Sequence, residues 1–211
     1  MSLARALLDD HADLWSAITA HPFVVGAADG SLPPAAFDRW IVQDHHFVVG
    51  FRRYLGRMLE LAPDEAARDL LSAGLVALAP ELELFRDAAR TNGLDLEAEP
   101  NPTTLGYTAF VQASPADGFL VALAVLYGAE RAYHDAWTAV RRQAERSSPH
   151  WRFIDNWSSP AFGRYVDEIG ATMDRLGGGG DDARVARAFR RVVRFELRFW
   201  DAVHDNETWE R

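Results

Sequence analysis

The sequence predicts an all-α protein, a bundle of long amphipathic helices. Apolar residues recur at the three- and four-residue spacing of a single helix stripe. Three examples are Phe37, Trp40, Ile41, Phe47, Val48 and Phe51; Leu123, Leu126, Tyr133 and Trp137; and Phe189, Val192, Val193, Phe199, Trp200 and Val203. Valines sit in pairs on such stripes and do not alternate as a strand requires. The periodic segments are separated by Pro, Gly, Ser and Asn clusters of the kind that start and stop helices. No strand and no internal repeat is expected.

In chain order, Ser2 is placed to cap a first helix reaching about Ala20, with Leu3, Leu7, Leu14 and Trp15 facing inward and His21-Pro22 ending it. Asp29-Gly30-Ser31-Leu32-Pro33-Pro34 reads as a turn followed by a helix start, because proline suits the first helical turn. A long helix then runs from about Pro34 to Glu60. Pro63-Asp64-Glu65 opens the next, which Asn92-Gly93 stops, with a kink or break expected at Pro80. A loop from Glu97 to Pro102 leads into a short helix over Thr103–Ala113. Ser114-Pro115 starts a helix to about Arg146, broken by Ser147-Ser148-Pro149. A short helix follows over His150–Trp157, and Ser158-Ser159-Pro160 begins another to about Leu176. Gly177 to Gly180 is a flexible link, and the final helix spans about Asp182 to His204.

Composition narrows the function classes. With 211 residues, 48% hydrophobic and 25% charged, the chain suits one globular domain over 1–211 with a sizeable core. A net charge of −9 argues against nucleic-acid partners and against anionic membrane surfaces. The absence of cysteine removes disulfides, thiolate metal sites and thiol catalysis, and fits a reducing cytoplasm. The start, MSLARALLDDHADLW, has acids where a signal peptide needs an apolar run. No uncharged apolar stretch of about 18 residues is present, so no membrane span is expected.

The chemistry lies in what interrupts the apolar stripes. Asp44 falls on the first, Glu130 on the second and Glu196 on the third. A carboxylate is almost never fully buried unless it is paired or has work to do. Three framed by aromatics outline a polar pocket inside a helical core, the form of a small-molecule site. The structural alternative gives Asp44 an ion pair with Arg52, Arg53 or Arg57 or an interhelix hydrogen bond, and pairs Glu196 with Arg131 or another interior arginine. Nine apolar or small residues, Phe119 to Tyr127, precede Glu130, so its helix is expected to be buried. Phe47, Trp157 and Trp200 are candidates to sandwich a flat ring, and Tyr107 and Tyr133 to donate hydroxyls. A metal alternative would draw Glu81, Glu130, His134, Glu196 and His204 into a di-iron site, but the repeated Glu-x-x-His motif is missing. Haem binding through His21, His45 or His46 is a weaker alternative still.

His21-Pro22-Phe23, Asp29-Gly30-Ser31-Leu32, Phe37, Trp40 and Gln43-Asp44 form an ordered series; Phe153 to Phe162 and Phe195-Glu196 with Phe199-Trp200 extend it. Together these segments, from about residue 11 to 204, resemble the TenA (thiaminase II) family. The resemblance implies a haem-oxygenase-like helical bundle and cleavage or salvage of thiamin-type pyrimidines. One branch of the family hydrolyses aminopyrimidine breakdown products to the hydroxymethylpyrimidine. Where the best-known branch has a nucleophilic cysteine, alignment on Tyr133 places Ala129, and Glu130 with Tyr133 resembles the Glu-x-x-Tyr pattern of the cysteine-lacking branch, TenA-E. Phe47 and Trp157 stand where tyrosines are usual, and Tyr107 matches a family active-site tyrosine. Glu81-Leu82 with Phe85 fits a family Glu-Leu-x-x-Phe pattern, with Glu83 as a competing, solvated neighbour.

The resemblance implies a hydrolase needing no cofactor and no metal, acting on an aminomethyl- or formylaminomethyl-pyrimidine. Asp44 would hold the amidine edge, whose two parallel donors suit a carboxylate. Glu196 and Glu130 would move protons, with Phe47, Glu81, Tyr107, Tyr133, Trp157 and Trp200 around the ring. A non-catalytic ligand-binding or regulatory protein on the same scaffold is the third reading. A homodimer or homotetramer is expected, because Val48-Val49 beside Phe47 and Phe51 make one helix apolar on more than one side.

Overall fold

The computed structural model describes residues 2–178, residue 180 and residues 182–209, and among them all regular structure is helical. In order the helices are α1 (Leu3–Asp9), α2 (Ala12–Thr19), α3 (Pro22–Asp29), α4 (Pro34–Leu61), α5 (Glu65–Asn92), α6 (Pro102–Ala113), α7 (Phe119–Arg141), α8 (Trp151–Trp157), α9 (Pro160–Leu176) and α10 (Asp182–Asp205). Caps fix several starts: the side chains of Ser2, Asp64, Asn101 and Ser159 accept from backbone N–H groups three residues on. Gly93, at φ 68°, ends α5 in the left-handed conformation that favours glycine.

The first expected helix is two. α1 and α2 are separated at Asp10-His11 because they dock on different partners. The Ala4 N–H donates to Asp174 on α9 at 2.8 Å, whereas the Trp15 indole donates to Asp135 on α7 at 2.9 Å. A straight rod would not reach both. α3 was also not foreseen. Pro22 does end the preceding helix, but it is the first residue of the next, and the His21 ring accepts from the Phe23 N–H at 3.1 Å.

α5 runs unbroken through Pro80, against the expected kink or break. The carbonyl that loses its partner belongs to Val76, which is 75% exposed, so water replaces the missing bond. The helix bearing Glu130 begins later and ends earlier than expected. Ser114–Asp117 form a separate 3₁₀ turn, and Gly118 at φ 108° divides it from α7. Beyond Arg141 the chain folds back, setting Trp151 under the guanidinium groups of Arg141 and Arg146. Of the expected Gly177–Gly180 link, Gly179 lies outside the described residues.

α4 packs against α5, α6 and α10, and α7 against α9, α10 and α3. All seven positions of the α4 stripe and all seven of the α10 stripe are buried. α7 and α10 approach closely because residue 128 is glycine; a Cβ there would collide with Val192. This brings the Glu130 and Glu196 helices together across the core. No helix among the described residues is long and apolar enough to cross a membrane.

Candidate active site

The carboxylates of the three stripes converge. Asp44, Glu130 and Glu196 line one interior cavity of about 30 Å³, joined by Glu81. α4 contributes Asp44, Phe47, Val48 and Phe51; α5 Leu78 and Glu81; α7 Ala129, Glu130 and Tyr133; α8 Trp157; and α10 Glu196. Among the described residues no arginine, lysine or histidine lines it.

The two deepest carboxylates are held alike. Asp44, 1% exposed, accepts through Oδ1 from the Tyr133 hydroxyl at 2.6 Å, and that hydroxyl accepts from the Trp40 indole at 3.3 Å. Glu196, 0% exposed, accepts through Oε1 from the Tyr107 hydroxyl. In each case the second oxygen, Asp44 Oδ2 or Glu196 Oε2, is buried without a partner among the described residues. An unpaired buried acceptor is costly, and the cost is recovered when a ligand donates to it. The ion-pair alternatives do not form. Arg57 donates to the Gln112 carbonyl, Arg52 and Arg53 point to solvent, and Arg131 pairs with Asp135 and Asp167.

Burial without a countercharge holds protons on this cluster. Asp44 is pushed up to about 7 by burial, with the Tyr133 hydrogen bond opposing. Glu130 rises to about 8, first through burial and then through the charge of Asp44. It is only half-buried, so solvent contact moderates that rise. Glu196 lies well above the carboxylate range through burial, opposed by the Tyr107 hydrogen bond and reinforced by Asp44 and Glu130. Glu81, half-buried, is raised by burial and then by Glu130 and Asp44. Burial and the neighbouring carboxylates also raise Tyr107 and Tyr133, keeping them neutral donors. Asp44 and Glu130 therefore exchange protons near neutral pH, while burial keeps protons on Glu81 and Glu196, an arrangement suited to acid–base work.

Of the residues expected to meet a flat ring, Phe47, Tyr133 and Trp157 line the cavity, and Trp157 meets Tyr133 edge-on with centroids 5.8 Å apart. Tyr107 stands behind Glu196, outside the lining. Trp200 is fully buried and stacks on Tyr133 at 5.5 Å and 24°, behind that ring and outside the cavity lining. Glu83 is exposed and bonds Arg86 and Arg90, leaving Glu81 as the inward residue of the pair. Val48, Phe51, Leu78 and Ala129 line the cavity without having been given a site role. Val48 and Phe51 could have been found on the stripe of Asp44, and Leu78 one turn before Glu81.

Of the residues proposed for a di-iron site, Glu81, Glu130 and Glu196 line the cavity, but His134 and His204 do not join them. His134 lies against Asp135 and Phe162, and His204 bonds Asp205. Among the described residues no three His, Asp or Glu side chains are placed to hold a metal ion. His21, His45 and His46 line none of the cavity, and the His21 ring is engaged by the Phe23 N–H and Asp201.

An all-α bundle enclosing a carboxylate pocket between four long helices is a haem-oxygenase-like fold. A domain from Shewanella denitrificans described as having a heme oxygenase-like fold superposes with a TM-score of 0.77 over 96% of this chain and 92% of its own, at 17% identity. The chain belongs to the TENA/THI-4/PQQC family, whose profile matches residues 8–206. A TenA homologue from Pyrococcus furiosus superposes with a TM-score of 0.91 at 28% identity, covering 95% of this chain and 99% of that one. An aminopyrimidine aminohydrolase of Halalkalibacterium halodurans is 27% identical, covering 99% of this chain and 98% of its own. A probable bifunctional TENA-E protein of Glycine max is 22% identical, covering 98% of this chain and 95% of its own.

Proposed function

We propose that this protein hydrolyses thiamin-related aminopyrimidines with carboxylates and no cysteine nucleophile. The observation that carries the reading is the matched pair of buried carboxylates, each tethered by a tyrosine hydroxyl on one oxygen and free on the other. The name of the Halalkalibacterium halodurans relative supports the substrate class. Asp44 accepts from the amidine edge of the pyrimidine, one donor on its free Oδ2 and the parallel one on Oδ1 beside the Tyr133 hydroxyl. Phe47 and Trp157 flank the ring. Glu196, its proton held by burial, serves as acid and then base, with Glu130 as the second proton carrier. Ala129 borders the cavity with a methyl group, and with no cysteine in the chain a thiol adduct is not available.

The cavity of about 30 Å³ is smaller than the space a six-membered ring needs, about 150 Å³ for benzene in an engineered core. Binding therefore displaces side chains, and Glu81, Glu130 and Leu78 border a second hollow that can receive them. The same reading takes the protein as cytoplasmic, and as a homodimer or a dimer of dimers with one pocket per subunit. Incubating purified protein with 4-amino-5-aminomethyl-2-methylpyrimidine, with chromatography for the hydroxymethyl product, tests the activity. Absence of product across pH 6 to 9, with the pyrimidine also failing to bind, rejects it.

A further inference from the structure

Outside the carboxylate pocket lies a second chamber of about 290 Å³. It shares Leu78, Glu81 and Glu130 with the inner cavity, so these three side chains form the partition between the two. Ala73, Gly74 and Ala77 of α5 line one side, and Ala161, Phe162 and Tyr165 of α9 the other. Ala73, Ala77 and Ala161 are exposed, so the chamber opens to solvent. Apart from the two partition carboxyls, no charged residue among those described lines it. Gly74 has a specific task there: a Cβ would collide with the Tyr165 hydroxyl. That hydroxyl is buried and has no partner among the described residues, so one donor stands ready in a mostly apolar wall.

We propose that the outer chamber is the leaving-group subsite, receiving a neutral, ring-sized substituent carried on the aminomethyl nitrogen of an aminopyrimidine. The inference rests on the hydrolase reading above and adds the half of the substrate that reading leaves open. A ring held at Asp44 Oδ2, beside Glu196, occupies the deep end. Whatever its methylene nitrogen bears is directed between Glu81 and Glu130, where the inner cavity borders the chamber. The reaction is a hydrolysis. The water oxygen bonds to the methylene carbon, the carbon–nitrogen bond breaks, and its electron pair stays on nitrogen. One partition carboxyl protonates that nitrogen and a carboxylate takes the proton lost by water, giving the pyrimidine alcohol and a primary amine. The chamber's size exceeds what accommodates benzene, so an aromatic substituent fits.

The test compares two substrates, the unsubstituted aminomethylpyrimidine and its N-benzyl derivative, by kcat/KM. Wild type is expected to turn over both. Ala77→Leu projects a larger side chain into the chamber from an exposed helical position, and the ratio of N-benzyl to unsubstituted kcat/KM should fall by about tenfold or more. Ala161→Leu fills the chamber from the opposite wall and should do the same, which covers the case in which one variant fails to fold. The subsite is overturned if wild type hydrolyses the unsubstituted amine but rejects the benzyl derivative, or if neither folded variant changes the ratio. If wild type hydrolyses neither and calorimetry shows no pyrimidine binding, it is the hydrolase reading that has failed, and the subsite falls with it.

Discussion

Asp44→Asn is expected to make the protein more resistant to unfolding as pH rises, relative to wild type. Asp44 is held at about 7 in the folded chain against 3.8 for the free side chain, with burial as the main cause. Between those values the folded state holds a proton that the unfolded chain has released. Stability is therefore fully present below about pH 4 and is lost as pH rises towards and through 7. The difference of about 3 units, at about 1.4 kcal/mol each, corresponds to about 4 kcal/mol once both states are ionised. Between pH 5 and pH 8 the loss is about 2.5 kcal/mol. Asparagine keeps an acceptor for the Tyr133 hydroxyl but cannot ionise. Its unpaired amide adds a cost that does not vary with pH, so the pH-dependent part of the comparison is unaffected. Because Asp44 is also the second cause of the raised Glu130, removing it reinforces the trend. Urea unfolding followed by tryptophan fluorescence at pH 5, 6, 7 and 8, at fixed protein concentration and ionic strength, reads the effect. The stability of the variant minus that of wild type should widen by about 2.5 kcal/mol across the series. A flat difference would show that Asp44 is not an ionisable group stranded in the core, and the site argument would lose its main physical support.

The same substitution removes a charge-assisted pair, so aminopyrimidine affinity should fall by about 1.5–3 kcal/mol; unchanged affinity by calorimetry, with the fold intact, rejects the assigned contact. Glu196→Gln keeps the Tyr107 hydrogen bond acceptor but cannot exchange a proton, and should lower kcat by about 10²–10⁴-fold; full activity makes Glu196 a structural residue. Light scattering at micromolar concentration should give a dimer or tetramer, and a monomer would refute the assembly while leaving the pocket argument standing.

The carboxylate pocket was legible because it breaks a rule. On α4 and α10 every stripe position is buried, and a period of 3.6 places Asp44 and Glu196 on those faces with no other outlet. Glu130 was read from the same logic, yet it is only half-buried, since its side chain ends at the partition with the outer chamber. Periodicity reports the face of a helix and not the depth to which the neighbouring helices cover it. That limit explains the other departures. Trp200 lies on the α10 stripe, one turn past Glu196, but its ring reaches the back of Tyr133 and not the cavity. The division of α1 from α2 depends on Asp174 and Asp135, partners more than a hundred residues away that no local pattern encodes. Pro22 and Pro80 show the same ambiguity in a single residue type. Pro22 opens a helix because its missing N–H is one that the first turn leaves unpaired anyway. Pro80 sits within a helix because the carbonyl it abandons, that of Val76, faces water. For Pro80 it is solvent access to that carbonyl that decides the outcome, and that access is set by tertiary packing. The outer chamber was invisible for the same reason. Its walls include the exposed Ala73, Ala77 and Ala161 and the buried Gly74, small residues of α5 and α9, and only the placement of Tyr165 over Gly74 turns them into a bounded space.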